Sequence, residues 1–224
     1  MPTEPNKRVI AVSRSATAAT PRGDVRIVAP GVSRLADGLA FLREFLLRPG
    51  TVASVAPSSV YLERRVVRAA ALTDARVVVE LGPGTGGTTR ALLRAMPPQA
   101  RLLAIESNPS FCARLRQRIP DPRLVVQEGS AVDLPAHLEH WQMPAPDVVV
   151  SGIPFSTLPV DAAQRVAASI EACLAPGGRF VAYQLRAHVA ACAEPHLGAP
   201  QADWEWRNLP PMRVFLWVKS AGGR

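Results

Sequence analysis

The sequence predicts an α/β fold: a doubly wound, mostly parallel sheet covered by helices on both faces. Three observations carry this. Beyond about residue 70, short apolar runs alternate with segments of helical period. The apolar runs are nearly continuous, as strands buried on both faces must be. The first of them, Val77-Val78-Val79-Glu80-Leu81, leads directly into a glycine-rich loop and then a helix. That arrangement places a ligand at the carboxyl edge of a parallel sheet.

The elements follow in order. Residues 1–32 have no sustained period and carry scattered Pro, Ser and Thr, so they read as a disordered basic arm. Leu35, Leu39, Leu42 and Leu46 then fall at helical spacing beside Phe41 and Phe45, and Pro49-Gly50 ends that amphipathic helix. After Val55-Ala56-Pro57, a serine (Ser58 or Ser59) can cap a second helix running to about residue 70. Residues 33–70 are thus an N-terminal helical extension, and 71–224 the main domain. Within it the expected strands are Arg76–Leu81, Arg101–Glu106, Leu124–Gln127, Val148–Ser151 and Phe180–Gln184. The expected helices are Thr88–Met96, Pro109–Arg118 and Val160–Leu174, the last ending at Pro176-Gly177-Gly178. Trp204–Lys219 reads as two strands broken at Pro210-Pro211.

Composition bounds the rest. With 224 residues, 48% of them hydrophobic, the chain supports one full core and little more. No run of 18 apolar residues appears, and Met1–Thr20 lacks a signal peptide's apolar stretch, so a cytoplasmic protein is expected. Cys112, Cys173 and Cys192 are too few and too scattered for a disulfide framework. His137 and His140 read as a solvated helix face, and no metal is expected. The net charge is +8. Residues 1–34 hold six basic side chains against two acidic ones, a local +4. Such a balance favours an anionic partner, either nucleic acid or an anionic membrane surface.

The glycine loop admits two readings by spacing. Gly82, Gly84 and Gly87 satisfy the dinucleotide pattern, and Glu106 closes the second strand where a ribose acceptor belongs. Glu80, two residues before the first glycine, stands where dinucleotide folds usually place an apolar residue, and no second domain of substrate-binding size follows. Both features disfavour NAD.

Glu80-Leu81-Gly82-Pro83-Gly84-Thr85-Gly86 closely resembles motif I of class I S-adenosylmethionine-dependent methyltransferases. The resemblance implies a Rossmann-like, seven-stranded, mostly parallel sheet. It implies S-adenosylmethionine as cofactor and S-adenosylhomocysteine as product. It lines the methionine part with Gly82, Gly84 and Gly86, sets Glu80 near the amino group and gives the ribose hydroxyls to Glu106, with Ser107 beside it. Gly129-Ser130-Ala131 stands where the family often has Gly-Asp-Ala beside the adenine, so Ser130 or the Ala131 backbone is expected there. Ser151-Gly152-Ile153-Pro154-Phe155 ends the fourth strand facing the sulfonium, with Ser151 on the cofactor side and Pro154 and Phe155 on the acceptor side.

Adenine N6-methyltransferases carry Asn-Leu-Pro-Tyr at this point, and here Gly152 replaces the Asn. A second family fits better. Ala56-Pro57-Ser58-Ser59, the glycine loop, Ser151-Gly152-Ile153-Pro154, Pro176-Gly177-Gly178, Tyr183 and Asn208-Leu209-Pro210-Pro211 together resemble bacterial soluble-type phospholipid N-methyltransferases over roughly residues 35–219. Phe155-Ser156-Thr157 departs from that family's more apolar run. This resemblance implies methylation of phosphatidylethanolamine and its methylated forms at the inner face of the cell membrane. The basic arm and the Leu35–Arg48 helix would dock there. Tyr183 and Tyr61 are the candidates to take the amine proton or to face the growing methylammonium. The Gly152 and Ile153 carbonyls would orient the amine, and Ser58 and Ser59, at a helix N-terminus, would hold a phosphate or the cofactor carboxylate. An adenine N6-methyltransferase, a small-amine methyltransferase and a non-enzymatic cofactor-binding protein are the alternatives.

Overall fold

The computed structural model describes residues 58–221. The expected basic arm and the Leu35–Arg48 helix lie outside these residues. The strands are β1 (Val77–Leu81), β2 (Arg101–Glu106), β3 (Leu124–Glu128), β4 (Val148–Ser151), β5 (Arg179–Gln184), β6 (Gln201–Glu205) and β7 (Met212–Val218). They form one sheet in the order β3-β2-β1-β4-β5-β7-β6. The first five strands pair in parallel, and β7 runs antiparallel to both β5 and β6. The strand order reverses between β1 and β4, which creates a crevice at their carboxyl ends. Because β6 runs in the same direction as β5, the β6–β7 connection emerges at this same edge.

Alternate strand residues feed two separate cores. Val77, Val79 and Leu81 pack with α4 (Leu134–His140), α5 (Val160–Cys173) and α6 (His188–Leu197) on one face. Val78, Leu102, Val148, Val150 and Val181 pack with α1 (Val60–Ala70), α2 (Gly87–Ala95) and α3 (Pro109–Arg118) on the other. All five residues of β1 are buried, which is why its run is apolar throughout. The exception is Glu80, whose side chain falls in the second layer.

α1 belongs to this layering. Leu62, Val66 and Ala70 recur at four-residue spacing and bury one helical stripe against the sheet. The Ser59 Oγ accepts from the Leu62 amide (3.2 Å) and so caps the helix. The Ser59 amide donates to Asn208 Oδ1 (2.9 Å), and Asn208 Nδ2 donates to the Pro210 carbonyl (2.7 Å). One buried amide thus ties the start of α1 to the β6–β7 connection.

One helix and one strand differ from the sequence reading by more than a residue. α4 is the helix that carries His137 and His140, whereas α6 was not anticipated. α6 has no side-chain cap and carries Pro195 within its length, so its local signals oppose a helix that tertiary packing nevertheless forms. β6 begins at Gln201 rather than Trp204, because Gln201 and Ala202 pair with Leu216 and Phe215 of β7.

Asn208→Ala strands the Ser59 amide and the Pro210 carbonyl. It is expected to lower the unfolding free energy by about 1–3 kcal/mol, read as a lower urea midpoint at unchanged slope. An unchanged midpoint would contradict the anchoring role.

Candidate active site

The crevice between β1 and β4 is closed at its base by two glycines. Gly82 sits at φ +71°, and a Cβ there would lie 3.0 Å from Ile153 Cγ1 and 3.4 Å from the Ile153 nitrogen. Its partner across the crevice, Gly152, donates its amide to the Leu81 carbonyl (2.9 Å). A Cβ on Gly152 would come within 2.5 Å of the Tyr183 hydroxyl and 3.0 Å of the Gly82 carbonyl. The missing side chains let β1, β4 and Tyr183 of β5 converge on one point. Gly86 does a different job from the lining role expected of it. A Cβ there would strike Leu115 and Ile119 at 2.7 and 2.8 Å, so this glycine seats the loop against α3.

Two carboxylates flank the loop. Glu106 ends β2 and accepts from the Gly84 amide through Oε2 (3.1 Å) and from the Asn108 amide through Oε1 (2.9 Å). A carboxylate has about four acceptor positions, so each oxygen keeps capacity for a further hydroxyl. Glu80 is fully buried, and neither of its oxygens has a hydrogen-bond partner. Burial pushes its carboxyl up to about 7, and the charge of Glu106 adds to the shift. The Thr89 hydroxyl opposes it, yet that hydroxyl too lacks a partner in hydrogen-bonding geometry.

An open groove runs from Gly82 past Glu106 and Ser107 to Ser130 and Ala131, with Ile153 on its near side. Leu158, Ala162 and Val166, at the start of α5, form its apolar far wall. Ser107 is exposed at the mouth. The Ser130 Oγ is committed to the Val132 amide (3.2 Å), where it starts a 3-10 turn. His137 is half-buried on α4, while His140 is exposed. The His137 Nε2 lies 3.2 Å from the Ser130 carbonyl and packs behind Gly129. Ser151 is fully buried, with its hydroxyl accepting from the Ile153 amide (3.3 Å).

Several expected site residues do other work. Tyr61 is 44% exposed on the outer side of α1, its ring covered by the Arg207 guanidinium 4.3 Å from the centroid. It does not meet Tyr183. Tyr183 is nearly buried, and burial raises its phenol well above the ordinary range, with the Glu80 charge adding to this. It stays protonated and cannot take an amine proton. Phe155 is 2% exposed in the core beneath α5, so its ring steadies the turn after β4 instead of facing a ligand. Pro154 opens that 3-10 turn, its carbonyl accepting from the Thr157 amide (2.9 Å). The Ile153 carbonyl accepts from Gln184 Nε2 (2.8 Å), which leaves it one lone pair. Ser59 is spent on capping, while Ser58 Oγ accepts from Thr88 at 3.5 Å. Thr88 in turn lies 3.2 Å from the Tyr183 hydroxyl. Thr88 and Gln184, both buried, were not foreseen, because nothing local in the sequence marks a polar residue that only a distant element partners.

Comparison with known proteins agrees with this geometry. Residues 78–178 match the family model described as "Methyltransferase domain". The ornithine lipid N-methyltransferase of Singulisphaera acidiphila is 36% identical over 145 residues, covering 64% of this chain and 76% of that protein. The chain belongs to the S-adenosylmethionine-dependent methyltransferases. A ribosomal RNA small subunit methyltransferase A from Rhodococcus erythropolis is 33% identical over 149 residues, but the match spans only 45% of that relative. Among solved structures, the O-methyltransferase TomG of Streptomyces achromogenes, in complex with S-adenosylmethionine, superposes with a TM-score of 0.58 over 87% of this chain and 93% of that one, at 19% identity. At that identity the likeness shows the fold.

The residues of this methyltransferase fit its cofactor. A buried carboxylate without a partner is an unfilled site for an ammonium, which Glu80 would receive from the amino-acid end. The free acceptor capacity of Glu106 suits the ribose diol, and the bare backbone at Gly82 leaves room for close approach. The apolar wall from Leu158 to Val166 would face the adenine.

Without a bound cation the folded state holds the Glu80 proton more tightly than the unfolded chain does. This group's contribution to stability is therefore complete below pH 4.5 and is lost as pH rises through about 7, a difference of about 3 kcal/mol. Glu80→Gln is expected to stabilise the cofactor-free enzyme at pH 8 by about 1–3 kcal/mol and to change little at pH 4.5, by urea titration at both. Calorimetry should show cofactor affinity at least about tenfold weaker in the variant. A variant whose stability falls with pH as steeply as the wild type would refute the assignment.

Proposed function

We propose that this enzyme methylates the amine of a membrane aminolipid headgroup and works as a peripheral protein at the inner, anionic face of the cell membrane. The observation that carries the reading is the acceptor side of the crevice. Where an adenine N6 enzyme needs an amide and a stacking ring, this chain has Gly152 and a Phe155 shut in the core. What remains leaves no amide and no stacking ring for a flat base and suits a small aliphatic amine. The likeness to an ornithine lipid N-methyltransferase over 76% of that protein's length supports the same substrate class. The sequence motifs favour phosphatidylethanolamine and its methylated forms within that class, leading toward phosphatidylcholine.

The residues around Tyr183 suggest how an amine is handled. With Thr88 donating to Ser58 Oγ, the phenol would donate to Thr88, and its oxygen would be left as an acceptor beside Gly152. That oxygen would take an N–H of a primary or secondary amine, or lie against the N-methyl groups of a tertiary one, and turn the lone pair toward the crevice. The remaining lone pair of the Ile153 carbonyl is a second acceptor nearby. Burial raises the Tyr183 phenol, so its role is to orient, and a proton shed by the amine would pass to solvent. The bound cofactor supplies an activated methyl group, and the chain supplies orientation.

Purified enzyme with labelled S-adenosylmethionine and liposomes containing phosphatidylethanolamine or ornithine lipid is expected to give labelled lipid. Label in neither, with label in RNA or a soluble amine, would overturn the proposal. Tyr183→Phe is expected to lower kcat by about 10- to 100-fold at unchanged cofactor affinity. Its pH–rate midpoint should stay where it is, since the phenol is not the base. A shifted midpoint would contradict the orienting role.

A further inference from the structure

The carboxyl edge of the sheet bears a surface that neither core uses. The β6–β7 connection and the first turn of α1 both emerge there. Trp206 is 68% exposed and Leu209 65%, beside Val60 at 57% on α1. The two pieces are locked together. Arg207 covers the Tyr61 ring and bonds Glu205 at 3.0 Å, and Glu205, only 2% exposed, also holds Arg65 at 3.0 Å. Arg64 and Arg68 join them around a hollow lined by four guanidinium groups and the Glu205 carboxylate, with Asp203 paired to Arg65 at its margin. Trp206 is itself held in place, stacked on Trp204 with ring centroids 4.9 Å apart.

We propose that the β6–β7 connection and the first turn of α1 form a docking surface for an anionic bilayer, with Trp206 and Leu209 set among the headgroups. The proposal rests on the reading that the substrate is a lipid. Indole and guanidinium groups on one rigid edge match the interfacial zone, where an amphipathic ring meets both hydrocarbon and headgroup and a cation meets lipid phosphate. The cationic hollow matches an anionic surface. The edge lies at the same end of the sheet as the acceptor site. Ser58, beside the cap of α1, is linked to Tyr183 through Thr88, so the edge and the acceptor side share one hydrogen-bonded chain.

The test uses the full chain and vesicles of phosphatidylcholine, with or without phosphatidylglycerol, containing lipids brominated on the acyl chains. Tryptophan emission is expected to be quenched only on the anionic vesicles, and Trp206→Phe should lose most of that quenching. Arg64→Ala with Arg68→Ala should weaken partitioning on the order of tenfold. Turnover of a short-chain, monomeric aminolipid by this pair should equal that of wild type. Quenching unchanged in Trp206→Phe, partitioning unchanged in the arginine pair, or displacement of the vesicles by RNA at this edge would overturn the proposal. So would protection of Trp206 from acrylamide in the absence of vesicles, which would mean that another segment or a second copy covers it. Monomeric aminolipid methylated while Trp206 stays unquenched would sink the docking surface and leave the lipid reading standing. Quenched Trp206 with no aminolipid ever methylated would do the reverse.

Discussion

The site depends on the close convergence of three strand ends, made possible by side chains that are absent. Gly152, just after β4, leaves the space into which the Tyr183 hydroxyl of β5 fits, and a methyl there would meet the phenol at 2.5 Å, while one on Gly82, just after β1, would crowd the Ile153 side chain at 3.0 Å. The parallel order around β1 and β4 creates the crevice. The glycines make it deep enough to bring a reacting pair into contact. Every other functional feature is arranged around that point: the carboxylates of Glu80 and Glu106 on one side, the Tyr183–Thr88–Ser58 chain on the other.

Glu80 is the clearest local conflict in the fold. A fully buried carboxylate without a donor costs free energy that the surrounding apolar layers must offset. Such conflicts are expected at functional sites, where a ligand completes what the chain leaves open. Glu205 is the contrast. It too is buried, but Arg207 and Arg65 hold its carboxyl down at about 2, so it braces structure and awaits nothing. Two buried acids in one small domain thus have opposite titration behaviour, set by whether a guanidinium reaches them.

The same comparison separates the two tyrosines. Tyr183 extends from a central strand into the crevice, where burial keeps it neutral and its oxygen becomes an acceptor. Tyr61 lies on the outer side of α1 under Arg207 and belongs to the rim. The rim and the crevice are joined by Asn208, whose one side chain holds both α1 and the β6–β7 connection in register. Position of the rim relative to the chemistry is therefore fixed by buried hydrogen bonds.

The sequence by itself determined the layered sheet, the strands β1 to β5, the helix capped by Ser59, the glycine loop and the acids at 80 and 106. These are local signals: apolar runs, four-residue periods, caps and glycines whose meaning lies within a few neighbours. Only the tertiary structure decided which residue does what around them. Phe155 was buried by α5, the Ile153 carbonyl was partly taken by Gln184, Gly86 was claimed by α3 and Tyr61 by Arg207. α6 formed against its own weak capping because the first core needed a cover. For all but Phe155 the deciding partner is distant in the chain, and pairings of that kind leave no periodic trace in the sequence that forms them.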